Sequence, residues 1–137
     1  MLYVSEPTTQ PVKLLEPLDR PANVAAYILT VRPGLDTEPH EEAWVVMVDA
    51  RLAPVGAKLV GLGSSNQSGI SIARVLREVL IAGAAGFFLV HNHPSGNVEA
   101  SADDRRFRSR LRAAAEIVFV DLHDSIIIGR GGACGIA

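Results

Sequence analysis

The stretch "FFLVHNHPSGNVEASADD" (residues 87–104) contains the end of one element, a sharp corner and the start of the next. Residues 87–92 open with an apolar run, which predicts a strand buried on both faces. The segment 94–96, Pro-Ser-Gly, breaks that strand. Ser101 stands where a helix is expected to begin, and Asp104 follows three residues later, close to a capping-box arrangement. A buried strand therefore leads directly into a corner and a helix N-terminus.

Hydrophobic periodicity predicts helices and strands on both sides of this stretch. Helices are predicted over 21–31, 70–86 and 101–117, and strands over 43–50, 58–63, 87–92, 118–122 and 125–129. The glycine-rich end, 130–137, is predicted to form no regular element. Residues 1–20 are proline-rich and are expected to be a lead-in segment before one domain, 21–137. The alternation of strands and helices indicates an α/β layered domain with at least four strands.

The bulk composition is that of an ordinary globular protein, with 137 residues, 48% hydrophobic and 20% charged. A formal net charge of -2 gives no general attraction to nucleic acid or to an anionic membrane. Cys134 is the only cysteine, which excludes an intramolecular disulfide and a zinc site built mainly from thiolates. The sequence has neither an apolar run of about 18 residues nor the features of a signal peptide. We therefore expect a soluble, cytoplasmic protein without a membrane partner.

His91, His93 and Asp104 are candidate metal ligands. Histidines at i and i+2 face opposite ways along a regular strand, so both reach one ion only where the strand breaks. A carboxylate in the first helical turn can point back to that corner, and two imidazoles with one carboxylate leave a fourth position open, as in catalytic zinc sites. Each residue alone has a simpler explanation, as an ordinary polar side chain at a strand end or as part of a helix start. Spacing alone leaves both explanations open.

The segment His91-Asn92-His93-Pro94, with Ser101 and Asp104 behind it, resembles H-x-H-P-x6-S-x2-D, the metal motif of JAMM (JAB1/MPN/Mov34) metalloproteases. "HNHPSG", "DSIIIG" and "EEAWVVMVD" together resemble the RadC-like branch, over about residues 21–129. The resemblance implies a central mixed β-sheet flanked by helices, the JAB/MPN or cytidine-deaminase-like architecture. It also implies a zinc metallopeptidase that acts on a polypeptide, at a peptide or an isopeptide bond.

The resemblance also implies roles for particular residues. His91, His93 and Asp104 take the positions of the Zn²⁺ ligands, and Ser101 takes the position of the serine that stabilises the oxyanion. The family has a glutamate before its first core strand that serves as general base and acid.

Glu41 and Glu42 both match the position of that glutamate. Register against the family favours Glu41, and strand alternation puts it on the face of Ala43, whose small side chain leaves room, whereas Glu42 shares the face of Trp44. The other glutamate is then an ordinary solvated side chain.

Two departures from the family limit what the resemblance implies. This chain reads Asp124-Ser125 where RadC-like proteins usually read Asp-His, and residues 1–40 do not provide the helix-hairpin-helix region of longer RadC proteins. The family's name comes from a supposed role in DNA repair, which is weak support for such a role here.

An alternative function is a non-catalytic, nucleic-acid-associated module that retains the fold. Its main support is the arginine-rich helix 101–117, on which Arg105, Arg108 and Arg112 share a stripe. His40 and His123 are expected to be a loop residue and a structural residue. The substrate and the oligomeric state stay open at this stage.

Overall fold

A five-stranded mixed β-sheet lies at the centre of the computed structural model, which describes residues 16–62 and 70–136. In these ranges the strands are β1 (Glu42–Val48), β2 (Pro54–Leu62), β3 (Gly86–Asn92), β4 (Asp121–Gly129) and β5 (Gly132–Gly135). The helices are α1 (Pro21–Val31), α2 (Ile72–Ile81) and α3 (Ala102–Ile117), and a short 3-10 turn spans Leu35–Thr37. The strand order is β2-β1-β3-β4-β5. Only the β3–β4 pair is parallel, with α3 as the crossover that a parallel pair requires. The predicted α/β class and mixed sheet are confirmed.

The sheet is covered on both faces, and β3 is buried along its whole length. Phe87 and Leu89 belong to the apolar cluster that includes residues of α2 and α3. Phe88 and Val90 belong to the cluster that includes residues of α1. Because successive side chains of a strand point to opposite faces, the residues that follow in β3 are also divided between the two sides of the sheet.

Two elements near the C-terminus differ from the sequence-based expectation. In place of the predicted strands 118–122 and 125–129 there is one strand, β4, which begins only at Asp121. A bulge accommodates His123 within it: Phe87 pairs with Leu122, and Phe88 with Asp124. The glycine-rich end forms the edge strand β5, although no element was predicted there. A two-residue connection with Gly131 at φ 73 reverses the chain between β4 and β5, and such short connections hold an adjacent pair in register.

The last residues of the predicted lead-in segment pack against the domain. Leu18 is buried, and its N–H donates a 2.8 Å hydrogen bond to the carbonyl of Leu52. Residues 1–15, the rest of that segment, lie outside the described residues. In the described ranges, no helix is both long enough and apolar enough to cross a membrane.

Candidate metal centre

The end of β3 and the start of β1 meet at one end of the sheet. His91 pairs with Ala43 across the two antiparallel strands, and alternation puts Glu41, two residues before Ala43, on the same face. That face is the one covered by α3, whose first turn carries Asp104. Three separate elements therefore bring Glu41, His91 and Asp104 to one place, and His93 follows directly after β3.

The four candidate side chains lie within a few ångströms of one another. The ligand atoms of Glu41, His91 and His93 are all within 4.8 Å of each other. Asp104 Oδ1 is 3.4 Å from His91 Nε2, and Asp104 Oδ2 is 3.3 Å from His93 Nε2. The carboxylate therefore spans the two imidazoles; that the three residues share a metal ion stays a prediction.

His91 provides the most direct test of whether the site suits a metal ion. The side chain is 2% exposed, and neither ring nitrogen makes a regular hydrogen bond among the described residues; Nε2 has only the 3.4 Å contact with Asp104 Oδ1. Leaving a buried polar group unpaired costs about 1–3 kcal/mol, and a cation on Nε2 would satisfy that nitrogen. Imidazole nitrogen and carboxylate oxygen are also ligands that zinc prefers, so the residues present fit such an ion.

The turn after β3 fixes the orientation of His93. Its Nδ1 lies 2.7 Å from the carbonyl oxygen of Asn97, and because a carbonyl only accepts, Nδ1 carries the proton. Nε2 is then directed at Asp104, an arrangement common among metal-ligating histidines. The hydrogen bond to Asp104 and the Asn97 carbonyl raise the pKa of His93 above its usual value, against the opposing effect of burial.

Asp104 is held by the predicted capping box, which is confirmed. The Ser101 hydroxyl accepts a 3.0 Å hydrogen bond from the Asp104 N–H, and Asp104 Oδ2 accepts one of 3.0 Å from the Ser101 N–H. Burial alone raises the pKa of Asp104, but the imidazoles of His91 and His93, together with the Ser101 N–H, outweigh it. The pKa lies well below its usual range, so the side chain is a carboxylate at neutral pH.

The two adjacent glutamates have different surroundings. Glu42 faces α1, where its carboxylate binds Arg32 at 2.9 and 3.1 Å and accepts a 2.9 Å hydrogen bond from Trp44 Nε1. Its pKa is lowered, mainly by the Arg32 hydrogen bonds. Burial raises the pKa of Glu41, and the nearby His91 and His93 partly oppose that rise. The structure therefore brings Glu41, and not Glu42, to the histidine pair. The expectation that the other glutamate is an ordinary solvated side chain is wrong, because Glu42 is largely buried between Arg32 and Trp44.

The remaining candidates are arranged as follows. Ser101 is exposed at the start of α3, with its hydroxyl oxygen used in the cap. His40 is exposed and pairs with Glu38 at 3.2 Å. His123 packs beside Phe88, with the two ring centroids 5.4 Å apart. Neither His40 nor His123 belongs to the cluster.

Sequence reasoning missed two side chains that shape the site, Asn92 and Arg32. Asn92, which stands between the two histidines in the sequence, is buried, and its side chain makes three hydrogen bonds with residues 38–42. Arg32 binds both Glu38 and Glu42. Strand alternation was the available signal, because Asn92 must point away from the His91 face, towards α1.

Comparisons with known proteins agree with this architecture. A family model described as the RadC-like JAB domain matches residues 18–137. A UPF0758 protein of Pseudomonas fluorescens is 33% identical over 120 residues, 88% of this chain and 52% of that protein. A UPF0758 protein of Coprothermobacter proteolyticus is 28% identical, over 93% of this chain and 53% of that protein. A UPF0758 protein of Thermotoga maritima is 39% identical, over 64% of this chain and 40% of that protein. The chain therefore spans about half the length, or less, of these relatives, and their names assign no activity.

Proposed function

The chain belongs to the RadC-like JAB domain family, and from that premise we propose that it is a zinc-dependent hydrolase of amide bonds in polypeptides. The reaction class is that of a JAMM-type metallopeptidase, at a peptide or an isopeptide bond. The observation that carries the proposal is the cluster of Glu41, His91 and His93 within 4.8 Å, with the Asp104 carboxylate across the two imidazoles.

His91, His93 and Asp104 are the residues that hold the ion in this proposal. Zinc at such a site supplies Lewis acidity, which lowers the pKa of water to about 7 and polarises a carbonyl oxygen. The capping box holds the Asp104 carboxylate towards the histidines, and the Asn97 carbonyl keeps the proton of His93 on Nδ1. Both contacts prepare the ligands before any ion binds.

Glu41 moves the proton. Its carboxylate accepts one proton from the attacking water and returns it to the amine nitrogen as the carbon–nitrogen bond breaks. Burial raises the pKa of Glu41 towards neutral pH. A carboxylate with such a pKa is suited both to accepting the proton and to returning it. General acid–base catalysis of this kind contributes typically about 10²–10⁴-fold.

Ser101 is proposed to stabilise the oxyanion. Its Oγ already accepts a hydrogen bond from the Asp104 N–H, so the hydroxyl proton is the part left to donate. One such donor is typically worth about 3–4 kcal/mol of transition-state stabilisation.

The first test is metal analysis of the purified protein. We expect about one zinc per chain, lost in His91→Ala without loss of the fold measured by circular dichroism. His40→Ala, in which an exposed histidine outside the cluster is removed, is the matched control and is expected to retain the zinc. A protein that takes up no zinc when zinc is supplied in excess contradicts the proposal.

The second test separates metal binding from chemistry. A mixed-sequence peptide library, read by mass spectrometry for new termini, is incubated with zinc-loaded protein. Glu41→Gln is expected to keep its zinc and to lose at least 100-fold in hydrolysis, within the range for general acid–base catalysis. Glu99→Gln, at an exposed loop position, serves as control. Full activity in Glu41→Gln removes Glu41 from the mechanism.

A second candidate function, a nucleic-acid-associated module, has one specific observation in its favour. Arg105, Arg106 and Arg110 line a shallow depression on the exposed side of α3. Arg108 and Arg112, part of the stripe predicted from the sequence, instead bond to Asp124 and to the Leu122 carbonyl. Zinc-free, folded protein that binds duplex DNA with a steep salt dependence would favour this candidate.

A further inference from the structure

We propose that Asn92, the residue between the two histidines, is a positioning residue that holds Glu41 against the histidine pair. The reaction it serves is the proposed amide hydrolysis, so this inference rests on the proposed function. As a positioning residue, Asn92 touches neither the substrate nor the ion. It acts on the backbone of residues 38–42, the arch segment, which carries Glu41.

The Asn92 side chain directs its carbonyl oxygen and its amide nitrogen at the arch segment, in three hydrogen bonds. Its Oδ1 accepts a 2.7 Å hydrogen bond from the N–H of Glu42. Its Nδ2 donates to the carbonyl of His40 at 3.0 Å and to that of Glu38 at 3.3 Å. An amide side chain offers two donor hydrogens and a carbonyl acceptor, and all three bonds go to residues on either side of Glu41.

The burial of Asn92 makes these bonds specific. The residue is 1% exposed, so water cannot readily replace the arch segment as its partner, and a buried polar group is stable only when paired. The bonds span 50 or more positions in sequence. The side chain therefore ties the irregular residues 38–41 and the first residue of β1 to a strand that is buried along its whole length.

Arg32 fastens the same segment from the α1 side. Its guanidinium binds Glu38 at 2.7 Å and Glu42 at 2.9 Å. Glu42 thus has both its backbone and its side chain fixed on the α1 face. Strand alternation turns the preceding residue, Glu41, to the opposite face, where the histidines lie. Fixing residues 38, 40 and 42 leaves Glu41 little freedom to turn away.

Other residue types cannot make the same set of bonds. Aspartate accepts from the Glu42 N–H but directs a charged oxygen at two carbonyls, and alanine reaches none of the three groups. Two variants, Asn92→Asp and Asn92→Ala, therefore remove different parts of the contact. Asn23→Ala, in which a part-buried asparagine of α1 is truncated, is the matched control.

Hydrogen exchange of the Glu42 amide is the direct test of the contact. In metal-free protein we expect this amide to exchange at least tenfold faster in Asn92→Ala, and close to the wild-type rate in Asn92→Asp, which retains the acceptor. The exchange rates of amides in the centre of β3 report the global stability of each variant, so they show whether faster exchange at Glu42 reflects general destabilisation. Unchanged protection of Glu42 in Asn92→Ala overturns the proposal.

A double-mutant comparison tests the link to Glu41. Chelator competition measures zinc affinity in four proteins: wild type, Glu41→Gln, Asn92→Ala and the double variant. Removing the Glu41 charge is expected to weaken zinc binding about threefold to tenfold when the arch segment is fixed, and to have little effect in the Asn92→Ala background. An equal effect of Glu41→Gln in both backgrounds overturns the proposal.

Hydrolysis rates of the same four proteins test the same link between Asn92 and Glu41. Asn92→Ala is expected to lower kcat at nearly unchanged KM, and to add little to the loss in Glu41→Gln. Additive losses place Asn92 outside the Glu41 pathway and overturn the proposal. If the wild type takes up no zinc, the proposed function fails by itself, and the exchange rate of the Glu42 amide then decides whether the contact exists.

Discussion

The raised pKa of His93 alone predicts how the free energy of unfolding changes with pH in metal-free protein. Its folded-state pKa is raised, chiefly by the hydrogen bond to Asp104, whereas its unfolded value is about 6.5. A raised folded pKa contributes stability that is fully present below pH about 6.5 and is lost as the pH rises through the folded pKa. Asp104 stays ionised throughout this window because its pKa is held far lower. In metal-free protein, we therefore expect urea denaturation to give a free energy of unfolding that falls from pH 6 to pH 9.

His93→Gln provides the control, because glutamine does not titrate and the slope should flatten in that variant. Zinc reverses the expected trend in the wild type, since zinc and protons compete for the same imidazole nitrogen. A metal-free stability that rises with pH in the wild type, but not in His93→Gln, contradicts the assigned contact with Asp104.

At the same scale, the site shows what the sequence could predict. His91, His93 and Asp104 were expected to share an ion, and their side chains do lie together. The choice of Glu41 came from register against the resembled family together with strand alternation, and the latter is a local rule that needs no tertiary knowledge. The role of Asn92 was not predicted, because its three hydrogen bonds run to residues at least 50 positions away. Ser125 was noted as a departure from the family, and its buried Oγ has no hydrogen-bond partner in the described ranges.

Among the elements, the ends of α2 and α3 make the same backbone motif with different residues. In α2, Gly83 has φ 67 and the N–H of Ala84 reaches the carbonyl of Val79. In α3, Phe119 has φ 62 and the N–H of Val120 reaches the carbonyl of Ala115. Glycine is the residue that usually ends a helix this way, whereas an L-residue in the left-handed region costs about 1–2 kcal/mol.

Phe119→Gly is therefore expected to raise the free energy of unfolding by up to about 1 kcal/mol, measured by urea denaturation. The gain is smaller than the full conformational cost because glycine also loses more freedom on folding, about 0.5–1 kcal/mol. Few contacts are lost, since the ring is 92% exposed.

The matched variant is Phe119→Ala, which removes the same ring but keeps the left-handed strain. We expect its stability to stay within about 0.5 kcal/mol of the wild type. If both variants are destabilised to the same extent, the ring contributes contacts and the strain is not the dominant effect.

The predicted elements failed where tertiary pairing outweighs local preference. Residues 118–120 are β-favouring, but they lie at the end of α3 and in its left-handed turn, while β4 begins at Asp121. The segment of β5 contains glycine at both ends and carries little local signal, yet it pairs with the last four residues of β4. By contrast, α1 and the start of α3 were predicted to within one residue, because proline and a capping box mark them directly.

The two apolar clusters determine whether the whole molecule stays folded without a metal ion. One lies on each face of the sheet, and each gathers buried side chains from at least one helix. His91 and His93 lie at the end of β3 and Asp104 lies in the first turn of α3, and none of the three belongs to either apolar cluster. The fold is therefore not expected to depend on the ion as it does in a zinc finger. We therefore expect metal-free protein and His91→Ala to remain folded, with cooperative thermal unfolding followed by circular dichroism.

Zinc should then act on stability by mass action alone. Free zinc at 1,000 times its dissociation constant adds about 4 kcal/mol, which corresponds to a rise in Tm on the order of 10 °C for a domain of this size. The rise should be absent in His91→Ala, and in the wild type it should keep growing with the logarithm of the zinc concentration rather than reach a plateau. A metal-free protein without a cooperative transition would mean that the ligand cluster, rather than the two apolar clusters, holds the sheet and its helices together.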